Sequence, residues 1–514
     1  MSPNRRSFLQ HVSLATFSLW IPKTFAEVST ARLARSTPEA QGVSAQAILD
    51  FLKAVEREKF ELHSFMMLRH GQVIAEGWWE PYGPDLVHTM YSMSKSFTST
   101  AVGFAVAEGK MSVEDKVISF FPYDLPTKVS DNLAAMRVKD LLTMSTGNEK
   151  EPTQVCVKEE NWVRTFLAQT IAHQPGTQFM YNSAATYMCS AIVQKVTGQK
   201  MLDYLTPRLF EPLGISGMKW ETCPRGINTG GWGLSIQSEG LAKFGQLLLQ
   251  KGKWNDKQLL PTAWIEEATR FHIQQPGGDK PDRPKTQNDW LQGYGYQFWR
   301  CQGTAFRGDG AFGQFTIVLP EQDAVIVMTS ENKNMQGQLD LVWKHLLPSF
   351  DAQSPQAADL SQLKTLKLMP PKGRKTSPTL TNKPYQLETN ALGLQTVSFA
   401  FEDDRCVFKA DSHLITCGLE SWHRGEAAFP GTPPRLISGG RPKTALPSKI
   451  AASATWADDT TLVLTWRYYE TPHSDTLTCT FDGDDVTITF LNSITAMNPK
   501  AKDLRLPLKG RAIA

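Results

Sequence analysis

The sequence lacks most of the short motifs that assign a chain to a common class of protein. Its seven cysteines contain no Cys-x-x-Cys pair and its ten histidines no His-x-x-x-His spacing, so we expect no metal ion and no redox centre. Gly-x-Ser-x-Gly, the nucleophile motif of α/β-hydrolases, is absent. The glycine-rich stretch NTGGWGLS, residues 228–235, lacks the Lys-Ser/Thr ending of a phosphate loop. We therefore expect no bound cofactor.

The sequence also has little excess charge of either sign. Its 54 Lys and Arg residues stand against 51 Asp and Glu residues. Residues 1–26 contain Arg5, Arg6 and Lys23 and no acidic residue, so the remainder carries 51 charges of each sign. A neutral chain offers no electrostatic footprint for nucleic acid or for an anionic membrane surface. We expect a small molecule or an oligomer as the partner, and no nucleic acid.

Long hydrophobic runs are missing as well. No segment beyond the N-terminus reaches 18 apolar residues, so we expect no membrane span in the mature chain. Residues 1–26 combine a twin arginine, a short apolar run and the ending Thr24-Phe25-Ala26. This pattern predicts an export signal, of Tat or Sec type, and a periplasmic or extracellular protein. An amphipathic first helix of the fold is the alternative.

The cysteines are odd in number and irregularly spaced, at positions 156, 189, 223, 301, 406, 417 and 479. Export permits disulfides, and Cys406 and Cys417 could pair across adjacent strands. We expect most of the cysteines to be small buried apolar side chains.

The chain of 514 residues, 41% of them hydrophobic, is long enough for two or three globular domains. In residues 27–350, strand patterns at both ends flank mainly helical patterns. The stretch FMMLRHGQVIAEGWW turns at His70-Gly71, and GQFTIVLPEQDAVIVMTS lies near the other end. These patterns predict an α/β domain, in which an antiparallel sheet made by both ends is flanked by helices and carries a mainly helical insertion.

The C-terminal part has a different composition. Residues 351–384 are rich in Pro, Ser, Thr and Lys and are interpreted as a linker. Residues 385–514 show strand periodicity, with a hairpin-turn signal at Asp482-Gly483. We expect an all-β accessory domain, either a sandwich or a small barrel, with a lipocalin-like barrel as one form. Covering the cleft, binding a polymer and pairing subunits are the roles left open for it.

The stretch YSMSKSFTST, residues 91–100, places Ser92 three residues before Lys95 at the predicted start of a helix. Residues three apart share one helix face, so a neutral Lys95 amine could take the proton of the Ser92 hydroxyl. The free N–H groups of the helix start would favour the developing negative charge. Ser-x-x-Lys also occurs by chance in chains of this length, so the context decides its meaning.

The context includes the later stretch PGTQFMYNSAATY, in which Tyr181 precedes a helical pattern. A tyrosine phenolate near a lysine can act as a general base, because each group changes the proton affinity of the other. Tyr181 is therefore the candidate partner of Lys95.

Four stretches occur in the order YSMSKSFTSTAVGFAVAEGKMSVEDKV, LLTMSTG, PGTQFMYNSAATY and RGDGAFGQFTIVLPEQDAVIVMTS. Together they resemble the serine beta-lactamase and penicillin-binding superfamily, on the side of class C beta-lactamases, esterases of that fold and 6-aminohexanoate-oligomer hydrolases. The resemblance covers roughly residues 40–345. It implies Ser92 as nucleophile, Lys95 and Tyr181 as the base pair, and the backbone N–H groups of Ser92 and Ala311 as the oxyanion hole.

Two positions depart from the family pattern. The second motif is normally Tyr-x-Asn, whereas Ser183 holds the third place here and Asn182 comes one residue early. The third motif falls on Gly308-Asp309-Gly310 and lacks the cation that helps to hold a substrate carboxylate in relatives. We place these residues among the substrate contacts, and we expect an ester or an unactivated amide rather than a beta-lactam as substrate.

The expected function is that of an exported serine hydrolase that forms an acyl-enzyme on Ser92. The alternative is a catalytically retired, penicillin-binding-like ligand-binding or sensor protein, which the altered motifs and the added β domain would suit. Arg307 could replace the missing cation or form an exposed salt bridge. His88 is expected to be structural. Five aromatic residues could line a substrate pocket or simply pack in the core, and Trp232 is expected to reach the cleft; they are Trp78, Trp79, Trp232, Tyr294 and Trp299.

Overall fold

The computed structural model describes residues 32–350, 355–376, 383–437, 447–498, 500 and 502–513. The predicted export signal at residues 1–26 lies outside these described residues. Within them, no helix has both the length and the apolar character that crossing a membrane requires.

An antiparallel sheet forms the centre of the first domain. The strands of this domain are β1 (Leu62–Arg69), β2 (Gln72–Trp78), β3 (His88–Thr89), β4 (Lys219–Trp220), β5 (Leu234–Ile236), β6 (Lys253–Trp254), β7 (Lys257–Gln258), β8 (Trp299–Arg300), β9 (Phe306–Gly310), β10 (Gln314–Leu319) and β11 (Ala324–Ser330). The central sheet has the order β2-β1-β11-β10-β9-β8. Because β1 pairs with β11, both ends of the domain build one sheet, as the sequence predicts.

Helices cover both faces of this sheet. They are α1 (Ala45–Arg57), α2 (Ser94–Ala107), α3 (Asp131–Ala135), α4 (Val138–Leu142), α5 (Thr153–Cys156), α6 (Trp162–Leu167), α7 (Ser183–Thr197), α8 (Met201–Leu205), α9 (Ser238–Leu249), α10 (Thr262–Thr269) and α11 (Met335–Leu341). Successive residues of β1 point to opposite faces, so Phe65 and Met67 join the apolar cluster that includes α1, and Met66 and Leu68 join the one that includes α2 and α9. Burial on both faces explains why β1 is buried along its whole length.

Helices α2 and α7 carry the Ser-x-x-Lys motif and the Tyr181 motif at their N-terminal ends. Both are buried over most of their length, and they pack against each other. Helix α7 ends at Gly198, which takes a left-handed conformation with φ of 72°. The packing of the two helices brings together motifs that lie almost 90 positions apart in the chain.

The C-terminal domain is a closed β-barrel. Its strands are β12 (Pro384–Leu387), β13 (Thr396–Glu402), β14 (Arg405–Ala410), β15 (His413–Leu419), β16 (His423–Ala427), β17 (Ser448–Trp456), β18 (Thr461–Arg467), β19 (Ser474–Asp482), β20 (Asp485–Asn492) and β21 (Leu508–Ala512), and a short helix α12 (Ser493–Ala496) follows β20. Consecutive strands are antiparallel neighbours from β12 to β15 and from β16 to β21, β12 pairs with β21, and a parallel contact between β15 and β17 closes the ring. The prediction of an all-β domain is confirmed, and of the two forms considered, a sandwich and a barrel, the barrel is the correct one. The meander order is that of up-and-down barrels such as lipocalins.

The barrel interior contains the cysteine pair singled out in the sequence. Cys406 and Cys417 lie directly opposite each other on β14 and β15, as adjacent strands require. Both are buried, and both thiols are free. They pack as small apolar side chains in the barrel core.

The described part of the predicted linker packs against both domains. It contains a 3-10 turn at Ser361–Lys364, and Lys367 forms a bridge with Glu80 of the first domain. Further along, Arg374 forms a bridge with Trp456 of the barrel. Residues 355–376 therefore connect the domains through contacts as well as through the chain.

Candidate active site

The Ser-x-x-Lys motif lies where a 3-10 turn becomes helix α2. Tyr91–Met93 form the turn, and α2 begins at Ser94, so Ser92 and Lys95 lie close together along one helical path. Ser92 is partly exposed, whereas Lys95 has only 1% of its surface accessible. The arrangement leaves the serine open to a substrate and encloses the lysine beneath it.

Three oxygen atoms surround the amine of Lys95. Lys95 Nζ lies 2.9 Å from Ser92 Oγ, 3.0 Å from Ser183 Oγ and 2.7 Å from the carbonyl oxygen of Gly231. A neutral amine has two hydrogens and one lone pair. A carbonyl oxygen can only accept, so one N–H is committed to Gly231, and a second can be donated to Ser183. The lone pair is then left for the proton of Ser92.

The protonation state of Lys95 fits this arrangement. Burial lowers the pKa of the Lys95 amine to about 7, against the opposing effect of the negative charges of Glu151 and Asp309. A lysine of ordinary pKa would be almost fully protonated at neutral pH and could not accept a proton. At neutral pH a substantial fraction of Lys95 is therefore available as a base.

Tyr181 lies beside both groups. Lys95 Nζ lies 4.8 Å from the centre of the Tyr181 ring, and the Tyr181 and Ser92 side chains are hydrogen-bonded. Burial raises the pKa of the Tyr181 hydroxyl, although the hydrogen bond with Ser92 opposes this effect. Tyr181 consequently keeps its proton at neutral pH, and Lys95 is the group that titrates near neutrality.

The two residues after Tyr181 have different surroundings. Ser183 is bonded to Lys95 as described above, and its backbone N–H donates to the Glu151 carboxylate at 3.1 Å. Asn182 is the N-cap of α7: its side-chain oxygen accepts from the backbone N–H of Ala185 at 3.0 Å, and its side chain has no exposed surface. The structure therefore places Ser183, and not the Asn182 side chain, next to the lysine. The capping role explains why asparagine follows the tyrosine here.

Strand β9 carries the third motif and lies directly against the turn that contains Ser92. A Cβ atom added to Gly308 would come within 2.2 Å of Met93 Sδ, and one added to Gly310 within 2.2 Å of the Met90 carbonyl oxygen. Only glycine permits this close approach. After β9, a turn at Ala311 leads into β10, and the Gln314 side chain donates to the Ala311 carbonyl at 2.9 Å.

Asp309 forms a buried ion pair with Arg307. Arg307 Nε donates to Asp309 Oδ2 at 2.9 Å, and the arginine has no exposed surface. Its guanidinium lies 4.7 Å from the Trp290 ring centre and 5.6 Å from that of Trp299. Arg307 thus makes a salt bridge, but a buried one, and its charge is compensated within the protein.

The loop around Gly231 closes the site on a third side. A Cβ atom at Gly231 would lie 2.7 Å from the Ser183 carbonyl oxygen, so glycine is needed where this loop meets α7. Trp232 is 5% exposed, and its ring stacks on Trp162 at 5.7 Å between ring centres. Trp232 also lines a cavity of about 280 Å³ between the domains, together with Tyr91 and Tyr468.

The other aromatic candidates divide into two groups. Trp299 stacks on Tyr181 with 5.5 Å between ring centres, and Tyr294 lies edge-on to Trp299 at 5.0 Å. Trp78 and Trp79 instead pack at the edges of apolar clusters. His88 is buried, and its Nε2 lies 2.9 Å from Nδ1 of His63.

Several residues that act on the site were not identified from the sequence. The Gly231 carbonyl was missed because a backbone acceptor leaves no residue-type signal, although the glycine-rich stretch around it was noticed. Glu151 and the burial of Arg307 depend on contacts between distant segments. Within the described residues, no group of three His, Cys, Asp or Glu side chains is arranged to hold a metal ion.

Comparison with known proteins identifies the family of the first domain. The family model for beta-lactamase matches residues 53–345. The 6-aminohexanoate-dimer hydrolase of Paenarthrobacter ureafaciens is 27% identical over 321 residues, which make up 57% of this chain and 79% of that protein.

Solved structures that align with a TM-score of 0.50 show the same fold. A Bacillus anthracis protein provisionally named as a 6-aminohexanoate-dimer hydrolase aligns with a TM-score of 0.50 and 19% identity, over 61% of this chain and 85% of its own. An octameric penicillin-binding protein homologue from Pyrococcus abyssi aligns over 90% of this chain and 99% of its own, at 14% identity and a TM-score of 0.46. The family model covers more than half of the sequence, and the chain belongs to the beta-lactamase family of serine hydrolases.

Proposed function

We propose that the protein is an exported hydrolase that cleaves an ester or amide bond through an acyl-enzyme on Ser92. The observation that carries the proposal is the 2.9 Å contact between Lys95 Nζ and Ser92 Oγ, made by a lysine whose burial lowers its pKa to about 7. This combination supplies a nucleophile together with a base, a substantial fraction of which is unprotonated at neutral pH.

In the acylation step, the Lys95 amine takes the proton of Ser92 as Oγ attacks the substrate carbonyl carbon. The oxygen of that carbonyl becomes an oxyanion, which accepts hydrogen bonds from the backbone N–H groups of Ser92 and Ala311. Each such donor is worth about 3 kcal/mol in comparable sites. As the tetrahedral species collapses, the proton passes from Lys95 through the Tyr181 hydroxyl to the leaving alcohol or amine.

Deacylation repeats the sequence with water as the nucleophile. Lys95, again neutral, takes a proton from the water through Tyr181, and the hydroxide adds to the acyl carbon. The second tetrahedral species releases the acid and returns a proton to Ser92 Oγ. The overall reaction consumes one water and yields an acid with an alcohol or an amine.

The charges around the site favour an uncharged substrate over one with a carboxylate. The acidic Asp309 stands in the third motif, and the guanidinium of Arg307 is already paired with it. Strand β9 has no second basic side chain that could bind a substrate carboxylate. The named activity of the Paenarthrobacter relative, hydrolysis of 6-aminohexanoate dimer, supports an amide as one candidate bond.

The test is intact-mass measurement after treatment with a fluorophosphonate probe, which reacts with activated serines. Wild type should gain one adduct, Ser92→Ala none, and a variant of an exposed serine, Ser119→Ala, the same adduct as wild type. A folded wild type that gains no adduct would contradict the proposal and favour a retired ligand-binding site. An acyl adduct that forms from an ester substrate but never hydrolyses would favour the same alternative.

Export is tested separately. When the full chain is produced in a bacterial host, the periplasmic or secreted form should lack residues 1–26, as read from its N-terminal peptide. Replacement of the Arg5-Arg6 pair by Lys-Lys should block Tat-dependent export and leave Sec-dependent export intact. Full-length protein retained in the cytosol would contradict this part of the proposal.

A further inference from the structure

Each of the two residues that supply the proposed oxyanion hole has a neighbour in a left-handed backbone conformation. Tyr91 precedes Ser92 and has φ of 47°, and Phe312 follows Ala311 and has φ of 69°. Such left-handed conformations are unfavourable for residues other than glycine, and they persist only where surrounding contacts hold them. Some part of the structure must therefore fix both residues.

One side chain of the barrel contacts both. The His473 ring lies edge-on to Tyr91, with 5.6 Å between ring centres, and edge-on to Phe312, at 4.9 Å. Tyr91 and Phe312 also contact each other at 5.5 Å. The three rings form a single cluster that joins the turn before α2 to the turn after β9. His473 itself has no exposed surface.

The orientation of the His473 ring is fixed by its polar partners. Its Nδ1 lies 2.5 Å from the Glu331 carboxylate, which follows β11 in the first domain. The Ser493 hydroxyl donates to the same carboxylate oxygen at 2.6 Å. A carboxylate only accepts hydrogen bonds, so Nδ1 carries a proton, and in this tautomer of the neutral ring Nε2 is an acceptor. The Tyr91 hydroxyl then donates to Nε2.

The loop that carries His473 is itself held against the first domain. Residues 468–473 connect β18 to β19, and the backbone N–H of Tyr468 donates to the His473 carbonyl at 3.0 Å. The Tyr82 hydroxyl donates to the Thr471 carbonyl at 3.0 Å. The backbone N–H of Thr89 donates to the Glu470 carbonyl at 3.0 Å. The barrel thus contacts the first domain three residues before Ser92.

We propose that His473 is a positioning residue for catalysis and that the barrel completes the active site. By holding Tyr91 and Phe312 in their left-handed conformations, it keeps the N–H groups of Ser92 and Ala311 directed at one point, where the substrate oxygen becomes negatively charged. The inference rests on the proposed acyl-enzyme function. It gives the barrel a role in turnover, beyond any role in folding or assembly.

A misaligned oxyanion hole has a defined kinetic signature. The two N–H donors act on the oxyanion of the transition state more than on the bound ester, so their loss lowers kcat and leaves KM nearly unchanged. Loss of one such donor lowers kcat by about 100- to 1000-fold in comparable enzymes, and a misalignment should have a smaller effect, about 10- to 100-fold.

The experiment compares full-length wild type with His473→Ala and Tyr91→Phe, and with His413→Ala as the matched control. His413 lies on β15 of the same barrel and also makes an edge-on contact with a phenylalanine, Phe429, at 5.8 Å. Fluorophosphonate labelling first measures the fraction of molecules in each sample whose Ser92 is reactive. Steady-state kinetics with a neutral ester then give kcat per reactive site, together with KM and the pH profile.

We expect His473→Ala to label completely but slowly, with kcat per reactive site lowered about 10- to 100-fold and KM within about threefold of wild type. Tyr91→Phe keeps the aromatic ring, so its kcat per reactive site should fall by less. His413→Ala should have the same kcat per reactive site as wild type. The pH profile should keep its midpoint, because Lys95 is not disturbed.

Two results would overturn the inference. Unchanged kcat per reactive site in His473→Ala is one. A loss of activity that is wholly explained by a smaller fraction of reactive Ser92 is the other, since it would indicate a structural role alone. A wild type that does not label at all would overturn the proposed function and this inference with it.

Discussion

The amine of Lys95 lies 2.9 Å from the hydroxyl oxygen of Ser92, and its other two partners are oxygens that can accept its hydrogens. The three contacts come from helix α2, from the start of α7 and from the loop at Gly231. Together they direct the lone pair of a neutral lysine at the serine.

The first prediction concerns the pH dependence of activity. Lys95 must be unprotonated to act as a base, and burial lowers its pKa to about 7. We therefore expect kcat/KM for a neutral ester to rise with pH through a midpoint near 7 and to level off above it. Lys95→Arg, which retains the positive charge but cannot lose its proton, should remove the rise along with most of the activity. A wild-type midpoint near pH 4 or above pH 9 would contradict the assignment.

The second prediction concerns Asp309. Its negative charge raises the pKa of Lys95, in opposition to burial. Asp309→Asn removes that charge and leaves the Arg307 cation nearby, so the Lys95 pKa should fall further. We expect the midpoint of the pH profile to move to lower pH. Asp256→Asn, at an almost fully exposed carboxylate, is the control and should not shift it. A shift to higher pH would show that Asp309 does not act on Lys95 through its charge.

The third prediction concerns the Tyr181 hydroxyl. Tyr181→Phe keeps the ring that lies beneath the Lys95 amine and removes the hydroxyl bonded to Ser92. Proton transfer to the leaving group then loses its relay, and we expect kcat to fall about 100-fold or more. The loss should be larger for an anilide than for an activated ester, because a poor leaving group needs its proton more. Equal losses for the two substrates would argue against a proton-relay role.

The fourth prediction concerns the contact between the domains at Glu61. Arg467 of the barrel binds both oxygens of Glu61, at 2.6 and 3.2 Å, and the Glu61 carboxylate also lies 3.0 Å from His63. Burial alone would raise the pKa of this carboxyl, but the Arg467 charge and the His63 contact lower it to about 2. The pair should therefore stabilise the folded protein at neutral pH.

The test of that contact is acid unfolding. A folded-state pKa of about 2 against an ordinary value near 4.5 means that the stabilisation is present above about pH 4.5 and is lost as pH falls towards 2. Arg467→Met should lower the free energy of unfolding by about 2 kcal/mol at pH 7. The difference from wild type should shrink as pH falls below about 4.5. Arg511→Met, at an exposed barrel salt bridge, should change stability little at either pH. A deficit that does not depend on pH would point to lost packing instead.

Much of the fold could be read from the sequence because its elements have strong local patterns. The hairpin turns at His70-Gly71 between two largely apolar strands, and the strands of the β domain alternate buried and more exposed residues. The linker was interpreted from composition alone. Composition does not reveal that Lys367 and Arg374 would bridge to the two domains, since those contacts depend on how the domains are placed.

The candidate site also combines features that the local sequence predicts with features that depend on the tertiary structure. Ser92 and Lys95 are close because three residues along a helical path bring side chains together, and this is a local property of the chain. The surroundings of Asn182 were not foreseeable from the motif, because a residue at a helix start can cap the helix instead of facing the substrate. His473 gave no signal at all: an isolated histidine in a β domain is usually a packing residue.

The sequence by itself therefore determined the nucleophile motif, the helices that begin there, and the strand patterns of two domains, because these depend on residues close together in the chain. Only the tertiary structure decided the proton affinity of Lys95, since burial and the charges around an amine come from segments scattered over the chain. It also decided that the barrel closes on itself and that His473 lies against Tyr91 and Phe312. Contacts between residues almost 400 positions apart follow from packing, which no local pattern encodes.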